Sequence, residues 1–371
     1  MLLSVCILMK NDAGCLNRLA GSLKNIPDEI VVVCDAPAGE DFRRVADACG
    51  ARLVPHHWQN DFSSARNAGL VAARGTWVFW MDSDETLIGP DAATFREILQ
   101  RPEMLGYYVT IEDQTGDSQR SSRQHPSLYR RRDELRYHGR IHEHFEPSLE
   151  TVATQLGLKV AASTVRLTHT GYQVQKRREK VRRNIALLEL ELADRPGQFY
   201  YQVELGRMLL LSGQVRGHDV LRQAAERLLP LRCQGDSPCP VAATLLEYAL
   251  TYAPAGFPLS SEMAVELARR WFPSSAPLAW LAARWHYQRG DMPEAARLLR
   301  SVLDMGEKGT FDHTVSFDQK IFGDETRLNL GVCCAKLGRI TEATGYFNAI
   351  QAGSVYYNTA RQNLRQLRRS S

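Results

Sequence analysis

Two aspartates at positions 82 and 84, separated by Ser83, follow the apolar run 77–81 (WVFWM). In an extended chain residues i and i+2 point to the same side, so both carboxylates can face one ligand. Oxygen donors of this kind suit a hard divalent cation, Mn²⁺ or Mg²⁺, with coordination positions left for phosphate oxygens. An acidic turn that merely ends a strand looks the same, so the neighbouring motifs must decide. One of them is the segment 60–70, NDFSSARNAGL. Either Asn60 or Ser63 can cap a helix whose next turn carries Arg66, a fixed cation suited to a diphosphate, and Asn67, an amide for polar contacts. The run 4–9 exits into Lys10-Asn11-Asp12, and the run 30–34 exits into Asp35.

A further polar cluster is Gly139-Arg140-Ile141-His142-Glu143-His144. If it is extended, Ile141 and Glu143 share one face while His142 and His144 share the other. A carboxylate or imidazole within hydrogen-bond reach of an acceptor can take its proton. Glu143 is the first candidate for that role and His142 the second; the alternative is that these residues only anchor a loop. A zinc reading of His-Glu-His lacks a third ligand at suitable spacing. Farther on, Lys176, Arg177, Arg178, Lys180, Arg182 and Arg183 crowd the start of a helix. They form either a solvated face or a source of cations for a departing diphosphate.

The elements that must position these residues are short apolar runs at 4–9, 30–34, 52–55 and 77–81, alternating with helical patterns at 15–23, 42–48 and 63–73. Strands buried on both faces and alternating with helices predict an open, mostly parallel α/β sheet. Such sheets bind ligands at the carboxyl ends of their strands, where Lys10, Asp35 and Asp82 fall. After Tyr172 the pattern becomes helix upon helix. Leu205-Gly206, Ala282-Ala283 and Leu330-Gly331 are each followed seven residues later by a glycine, at 213, 290 and 338. Ala343, Phe347 and Ile350 continue the last segment, and Ala295, Leu299 and Val302 continue the middle one in the same register. These are the packing positions of a tetratricopeptide hairpin. In the first segment the matching positions are His218, Arg222 and Ala225, a degraded signature. Helices at 245–252 and 262–271 make a looser fourth pair. The expected division is an α/β domain at 1–172 and an all-α, TPR-like domain at 173–371.

Composition bounds the rest. The 371 residues carry 46 Lys+Arg against 42 Asp+Glu, and a net +4 gives no argument for nucleic acid. Eight cysteines include no C-x-x-C pair, so neither a zinc cage nor a disulfide framework is expected. No apolar run approaches ~20 residues, so no membrane span is expected. The N-terminal MLLSVCILMK lacks the basic lead-in and cleavage site of a leader. A reducing, cytoplasmic setting follows.

The ordered series ILMKND, EIVVVCD, DFSSARNAGL, GTWVFWMDSDE, YRRRDELRYHGRIHEHF and HTGY resembles glycosyltransferase family 2, of the GT-A fold. Within it, the chain is similar to the soluble branch with a C-terminal tetratricopeptide domain; the motifs cover about residues 3–225. The resemblance implies transfer of a sugar, with inversion, from a nucleotide-diphospho-sugar, with UDP as the expected nucleotide. With no membrane span expected, the expected acceptor is soluble, a peptide, a protein or a small glycoside, and stacked helix hairpins would give a groove for it or for self-association. By the same resemblance the main chain at Met9 and Lys10 lines the nucleoside pocket and Asp35 contacts base or ribose. Arg66 and Asn67 lie near the diphosphate. Asp82 and Ser83 lie toward the ribose, Asp84 on Mn²⁺ or Mg²⁺ with Asp82, and His169 completes the metal's ligands. One departure is the loop Asp35-Ala36-Pro37-Ala38-Gly39-Glu40-Asp41, where relatives usually carry an Asp-Thr-Gly-Ser-Thr-Asp type sequence. That loss leaves nucleotide identity open and is the feature that favours a rival reading, a tetratricopeptide scaffold with a degenerate head. A second rival, nucleotidyl transfer, wants a glycine-rich phosphate loop that Lys10-Asn11-Asp12-Ala13-Gly14 does not supply.

Overall fold

The computed structural model describes residues 1–23, 25–114, 120–169, 174–315 and 317–370. Its contacts divide the chain into one unit of Met1–Pro196 with His313–Ser316, and another of Gly197–Asp312 with Phe317–Ser371. The expected boundary at residues 172 and 173 lies outside the described residues. The helix Val174–Asp194, which the sequence assigns to the second domain, groups with the first. It is tied there by Arg140, whose backbone N–H donates to Glu191 at 2.8 Å and whose guanidinium donates to Asp194.

In the first unit the strands are β1 (Leu3–Met9), β2 (Glu29–Asp35), β3 (Ala51–His56), β4 (Trp77–Asp82), β5 (Glu85–Gly89), β6 (Met104–Gln114), β7 (Arg120–Arg130), β8 (Tyr137–His138), β9 (His144–Phe145) and β10 (Lys159–His169). The helices are α1 (Ala13–Leu23), α2 (Glu40–Ala48), α3 (Phe62–Ala72), α4 (Ala92–Leu99), α5 (Leu149–Leu156) and α6 (Val174–Asp194). Eight strands form one sheet in the order β3-β2-β1-β4-β7-β6-β10-β5, and β8 pairs with β9 separately. β1 to β4 are mutually parallel, as are β6 and β10, whereas β7 and β5 run against their neighbours. The sheet is therefore mostly parallel, as the alternation of apolar runs and helices predicts. Pro55 is tolerated because β3 is the edge strand.

The pleat sends alternate residues to opposite faces. Trp77, Phe79 and Met81 pack with α1, α2 and α4, through Leu16, Leu19, Phe42 and Phe95. Val78 and Trp80 pack on the other face with α3 and α5, through Ala65, Leu70, Leu149 and Val152. Helices on both faces are what the continuously apolar strands require. Among the described residues no helix is long and apolar enough to cross a membrane.

The second unit holds α7 (Phe199–Leu211), α8 (Gly217–Leu228), α9 (Ala242–Thr251), α10 (Ser261–Trp271), α11 (Ala276–Gln288), α12 (Met292–Lys308), α13 (Asp324–Lys336), α14 (Ile340–Asn348) and α15 (Tyr357–Ser370). Consecutive helices pair as α7 with α8, α9 with α10, α11 with α12 and α13 with α14. The repeat glycines mark where helices of a hairpin touch. A Cβ on Gly331 would lie 2.5 Å from the Phe347 ring, and one on Gly206 would lie 2.6 Å from Leu221. The first hairpin thus corrects the sequence register. Leu221, with Gly217 and Ala224, packs where His218 and Arg222 were expected, while Ala225 is buried as expected, so the turn after Gly213 is one residue shorter than those after Gly290 and Gly338. The signature is shifted, not lost: Leu221 and Ala224 are buried.

Adding a methyl at so close a contact costs about 1–3 kcal/mol through displaced neighbours. Gly331→Ala is expected to lower the stability of the helical unit by that amount in urea unfolding followed by far-UV circular dichroism. An unchanged transition would mean that α13 and α14 are not in close contact at this glycine.

Candidate functional site

Parallel pairing aligns the ends of β1, β2 and β4. Met9 lies opposite Cys34, and Leu8 opposite Asp82. Met9 is buried, while Lys10, Asp35 and Asp82 stand exposed at this edge. The loops after β1 and β2 are tied together where Asn11 Nδ2 donates to the Pro37 carbonyl at 3.2 Å.

β4 ends at Asp82, and Ser83 and Asp84 form a turn into β5. The i, i+2 argument for two same-side carboxylates therefore stops at Asp82, and the two aspartates meet different partners. The turn is held from behind: Arg18 Nη2 donates to the Ser83 carbonyl at 3.3 Å, and the Asp82 N–H donates to Glu85 Oε2 at 2.8 Å. Glu85 is buried, and burial together with the Asp82 charge pushes its carboxyl up to about 8.

Asp84 meets His169. Antiparallel pairing of β5 with β10 sets Glu85 opposite His169, and parallel pairing of β6 with β10 sets Asp113 opposite His169. The imidazole consequently bridges two carboxylates, with Nε2 3.1 Å from Asp84 Oδ2 and Nδ1 3.0 Å from Asp113 Oδ1. Hydrogen bonds to Asp113 and Asp84 raise the His169 pKa to about 9, against the opposing effect of burial. Burial favours the neutral form of Asp84, but the hydrogen bond and charge of His169 outweigh it and hold the carboxyl low.

A small divalent cation could take this place only by displacing the proton that His169 Nε2 shares with Asp84. Two cis ligands of an octahedral ion at about 2.1 Å are about 3.0 Å apart, close to the separation of Asp84 Oδ2 and His169 Nε2. A metal-bound imidazole also wants a carboxylate on its other nitrogen, the position of Asp113. Among the described residues no three His, Cys, Asp or Glu side chains converge as a ready-made cage, so further ligands would come from substrate and water. Asp82, expected beside Asp84, turns instead to Arg66.

Arg66 is held by its helix. Asp61, rather than Asn60 or Ser63, caps α3 by accepting from the Ser64 N–H at 3.0 Å, while the Ser63 hydroxyl donates to the same oxygen. One turn on, Arg66 Nη2 lies 3.1 Å from Asp82 Oδ1 and Nε lies 2.5 Å from Glu143 Oε1. Its guanidinium carbon sits 5.0 Å from the Trp80 ring centroid and 5.6 Å from that of Tyr137. Burial opposes the charge, yet Glu143 and Asp82 hold its pKa well above the usual guanidinium value. Asn67, expected to contact a ligand, has its amide engaged with the backbone. Its Nδ2 donates to the Tyr137 carbonyl at 2.8 Å, and its Oδ1 accepts from the Tyr137 N–H at 2.9 Å.

The segment 139–142 is not extended. Gly139 and His142 have φ of 95° and 53°, because the chain turns here between the two-residue strands β8 and β9. Alternation between faces fails, and Glu143 reaches Arg66 while His144 stays exposed. From the basic run, Arg183 lies over the Phe62 ring at 5.1 Å, and the Lys180 charge is felt by Asp84. Lys176 and Arg177 have side chains outside the described residues, as does the whole of the motif Thr170-Gly171-Tyr172. Sequence reasoning missed Asp113, Glu85 and Arg18. Asp113 sits 56 residues from His169, and only strand register brings them together.

Residues 4–152 match the family model "Glycosyl transferase family 2". A TPR repeat-containing protein of Synechococcus elongatus is 30% identical over 254 residues, 67% of this chain and 60% of its own. The prophage-derived glycosyltransferase SunS of Bacillus subtilis is 24% identical over 59% of this chain and 52% of its own. The chain thus spans between half and two thirds of the length of these relatives. Among solved structures, S. aureus TarS covers 67% of the chain at 13% identity and a TM-score of 0.40, with 51% of that protein matched. A mannosyltransferase of Pyrobaculum calidifontis, in complex with GDP-Man and Mn²⁺, covers 71% at 17% identity and a TM-score of 0.37, with 84% of it matched.

Both side chains of the Arg66–Glu143 pair are 13% exposed, and breaking so enclosed a pair leaves a charge without its partner, at about 3–5 kcal/mol. Arg66→Met is expected to lose that much in denaturant unfolding. Adding Glu143→Met should recover part of the loss, with a coupling of at least about 1 kcal/mol. Strictly additive losses across the cycle would show that the pair carries no energy.

Proposed function

Because the chain carries a glycosyltransferase family 2 domain over residues 4–152, followed by helix hairpins of the repeat type, we propose that it transfers a glycosyl group from a nucleotide-diphospho-sugar to a soluble acceptor. The observation that carries this reading is the pair of charged arrangements at the carboxyl ends of the sheet. Asp84, His169 and Asp113 form one, and Asp82, Arg66 and Glu143 form the other. They set the carboxylate–imidazole pair proposed for a cation beside a carboxylate–guanidinium pair.

In this proposal the nucleoside lies against the main chain at Met9 and Lys10 and against Asp35, across the aligned ends of β1 and β2. The expected nucleotide is UDP; the loop 35–41, without the usual hydroxyls, makes GDP the comparison. Asp84 and His169 hold Mn²⁺ or Mg²⁺, and Asp113 fixes the imidazole so that Nε2 faces the ion. The bound ion supplies Lewis-acid stabilisation of the diphosphate as it leaves. Asp82 and Ser83 face the ribose. Arg66 fixes the position of Glu143 through their hydrogen bond, and that carboxylate takes the acceptor proton. His142, next in the chain, is the alternative base. Lys180 and Arg183 add positive charge where the leaving group develops negative charge.

The acceptor is proposed to be a peptide, a protein or a small glycoside, bound with help from the second unit, since stacked helix hairpins present extended concave surfaces. Inversion follows if Glu143 serves as base in a direct displacement. Eight free cysteines, Cys6, Cys34, Cys333 and Cys334 among the buried ones, fit a reducing, cytoplasmic compartment.

Calorimetric titration of UDP and GDP, each with Mn²⁺ and with EDTA, tests the metal site. Mn²⁺ is expected to strengthen binding of one nucleotide to the native chain, and Asp84→Ala to abolish that gain. If neither nucleotide responds to metal, the proposed metal role is wrong. Glu143→Gln tests the base: with an acceptor in hand, turnover should fall ~10²–10⁴-fold while donor affinity stays near the native value. Turnover within about threefold of native, well short of that range, would pass the role to His142.

A further inference from the structure

A basic cavity of the first unit has no part in the chemistry above. About 220 Å³ of space is enclosed by Leu70 and Val71 at the end of α3, by Tyr129, and by Arg131, Arg132, Asp133, Leu135 and Arg136. Three guanidiniums line it against one carboxylate, and that carboxylate, Asp133, is 94% exposed and 3.7 Å from Arg136. Among the described residues no carboxylate lies within ion-pair distance of Arg131 or Arg132. Arg131 Nε donates only to the Gly75 carbonyl, at 3.3 Å. The Arg132 charge acts on Arg130, whose pKa is lowered first by burial and then by this neighbour. Of the three lining guanidiniums, only Arg136 is paired with a carboxylate among the described residues.

Its place in the sheet separates it from the donor site. The Arg131 N–H donates to the Thr76 carbonyl at 2.8 Å, immediately before β4 begins. Asp82 ends the same strand, and five steps of ~3.3 Å put the two ends roughly 17 Å apart. The cavity is at the amino end of the parallel strands, so it cannot hold the diphosphate of a donor bound at the carboxyl end. The C-terminus of α3 contributes about half a negative charge nearby, too little to neutralise three guanidiniums.

We propose that this cavity is a second anion site, for a phosphate-bearing ligand whose apolar or sugar portion rests on Leu70, Leu135 and Val71. Guanidinium forks match phosphate oxygens with paired hydrogen bonds. Val71, 77% exposed at the rim, gives the ligand an apolar contact beyond the cavity. The phosphate belongs either to a free phosphorylated molecule or to an anionic lipid headgroup.

Pyrophosphate titrated by calorimetry in EDTA provides the first arm, and co-sedimentation with phosphatidylglycerol or phosphatidylcholine vesicles the second. Native chain and Asp84→Ala should bind pyrophosphate alike, while Arg132→Glu weakens binding at least about tenfold, as expected for a lost charge-assisted bond. Sedimentation with phosphatidylglycerol only, lost in Arg132→Glu, would identify the headgroup; pyrophosphate binding without sedimentation would identify a free molecule. Should Arg132→Glu not fold, Arg132→Gln removes one charge without reversing it, and should weaken binding in the same direction. Pyrophosphate affinity untouched by the Arg132 variants, or lost in Asp84→Ala, overturns the proposal, as does failure to bind either probe. Because neither arm needs metal or donor sugar, these outcomes are separate from those that test glycosyl transfer.

Discussion

A guanidinium with little access to water must be met by carboxylates, and Arg66 is met by two from distant parts of the chain. Asp82 comes from the end of β4 and Glu143 from the turn before β9, so one side chain on α3 fixes the relative positions of three segments. Trp80 and Tyr137 flank the same group, adding cation–π attraction of about 0.5–2 kcal/mol each. Asn67, the next residue, clamps both backbone groups of Tyr137. The first turns of α3 therefore organise the site before any ligand arrives. The cap at Asp61 matters for that reason: it sets where the helix starts, and hence which way Arg66 points.

Fixing these charges in advance has an energetic logic. Interactions that are already aligned need no reorganisation when charge develops, which is how electrostatic catalysis gains over water. The alignment is supported from outside the immediate site. Glu85 accepts from the Asp82 N–H, Arg18 holds the Ser83 carbonyl, and Asp113 orients His169. None of these three supporting residues announces itself by type or spacing, yet each removes a degree of freedom from one that does.

The contrast shows what the sequence could disclose. Apolar runs of five or six residues identified the strands because burial on both faces leaves no polar alternation to confuse them. Asp82 and Asp84 were visible because charged residues stand where such a strand ends, Arg66 because it follows a helix-capping motif, and Glu143 because it sits between two histidines. Features set by short-range geometry were read less well. The turn at Ser83 and Asp84 and the positive φ of His142 both broke an assumption of extended chain, because two-residue turns leave almost no signature in composition. Asn67 was misread for another reason: an amide in a polar motif looks the same whether it serves a ligand or a backbone. Asp113 was beyond reach altogether, since its pairing with His169 exists only through the register of β6 with β10. In the helical unit one missing turn residue displaced the signature of the first hairpin, although the packing it encodes, Gly206 against Leu221, was retained.

A parallel sheet also sorts charge along one axis, which net charge conceals. Six of the eight strands begin at one edge and end at the other, which gives the sheet two distinct rims. At the carboxyl rim Asp35, Asp82, Asp84, Asp113 and Glu143 stand with Lys10, Arg66 and Arg123; at the amino rim Arg131, Arg132 and Arg136 stand with Asp133, and Asp28 and Glu29 pair with Arg96 and Arg52. The overall +4 averages these away. At the carboxyl rim, Arg66 is already committed to two carboxylates, so the proposed diphosphate would gain little from that guanidinium alone. A divalent cation between Asp84 and the diphosphate would supply the missing attraction. Around the amino-end cavity the local balance is the opposite, with three guanidiniums against Asp133. A single composition can therefore require added positive charge at one end of a strand and added negative charge at the other, and the direction of β4 decides which end is which.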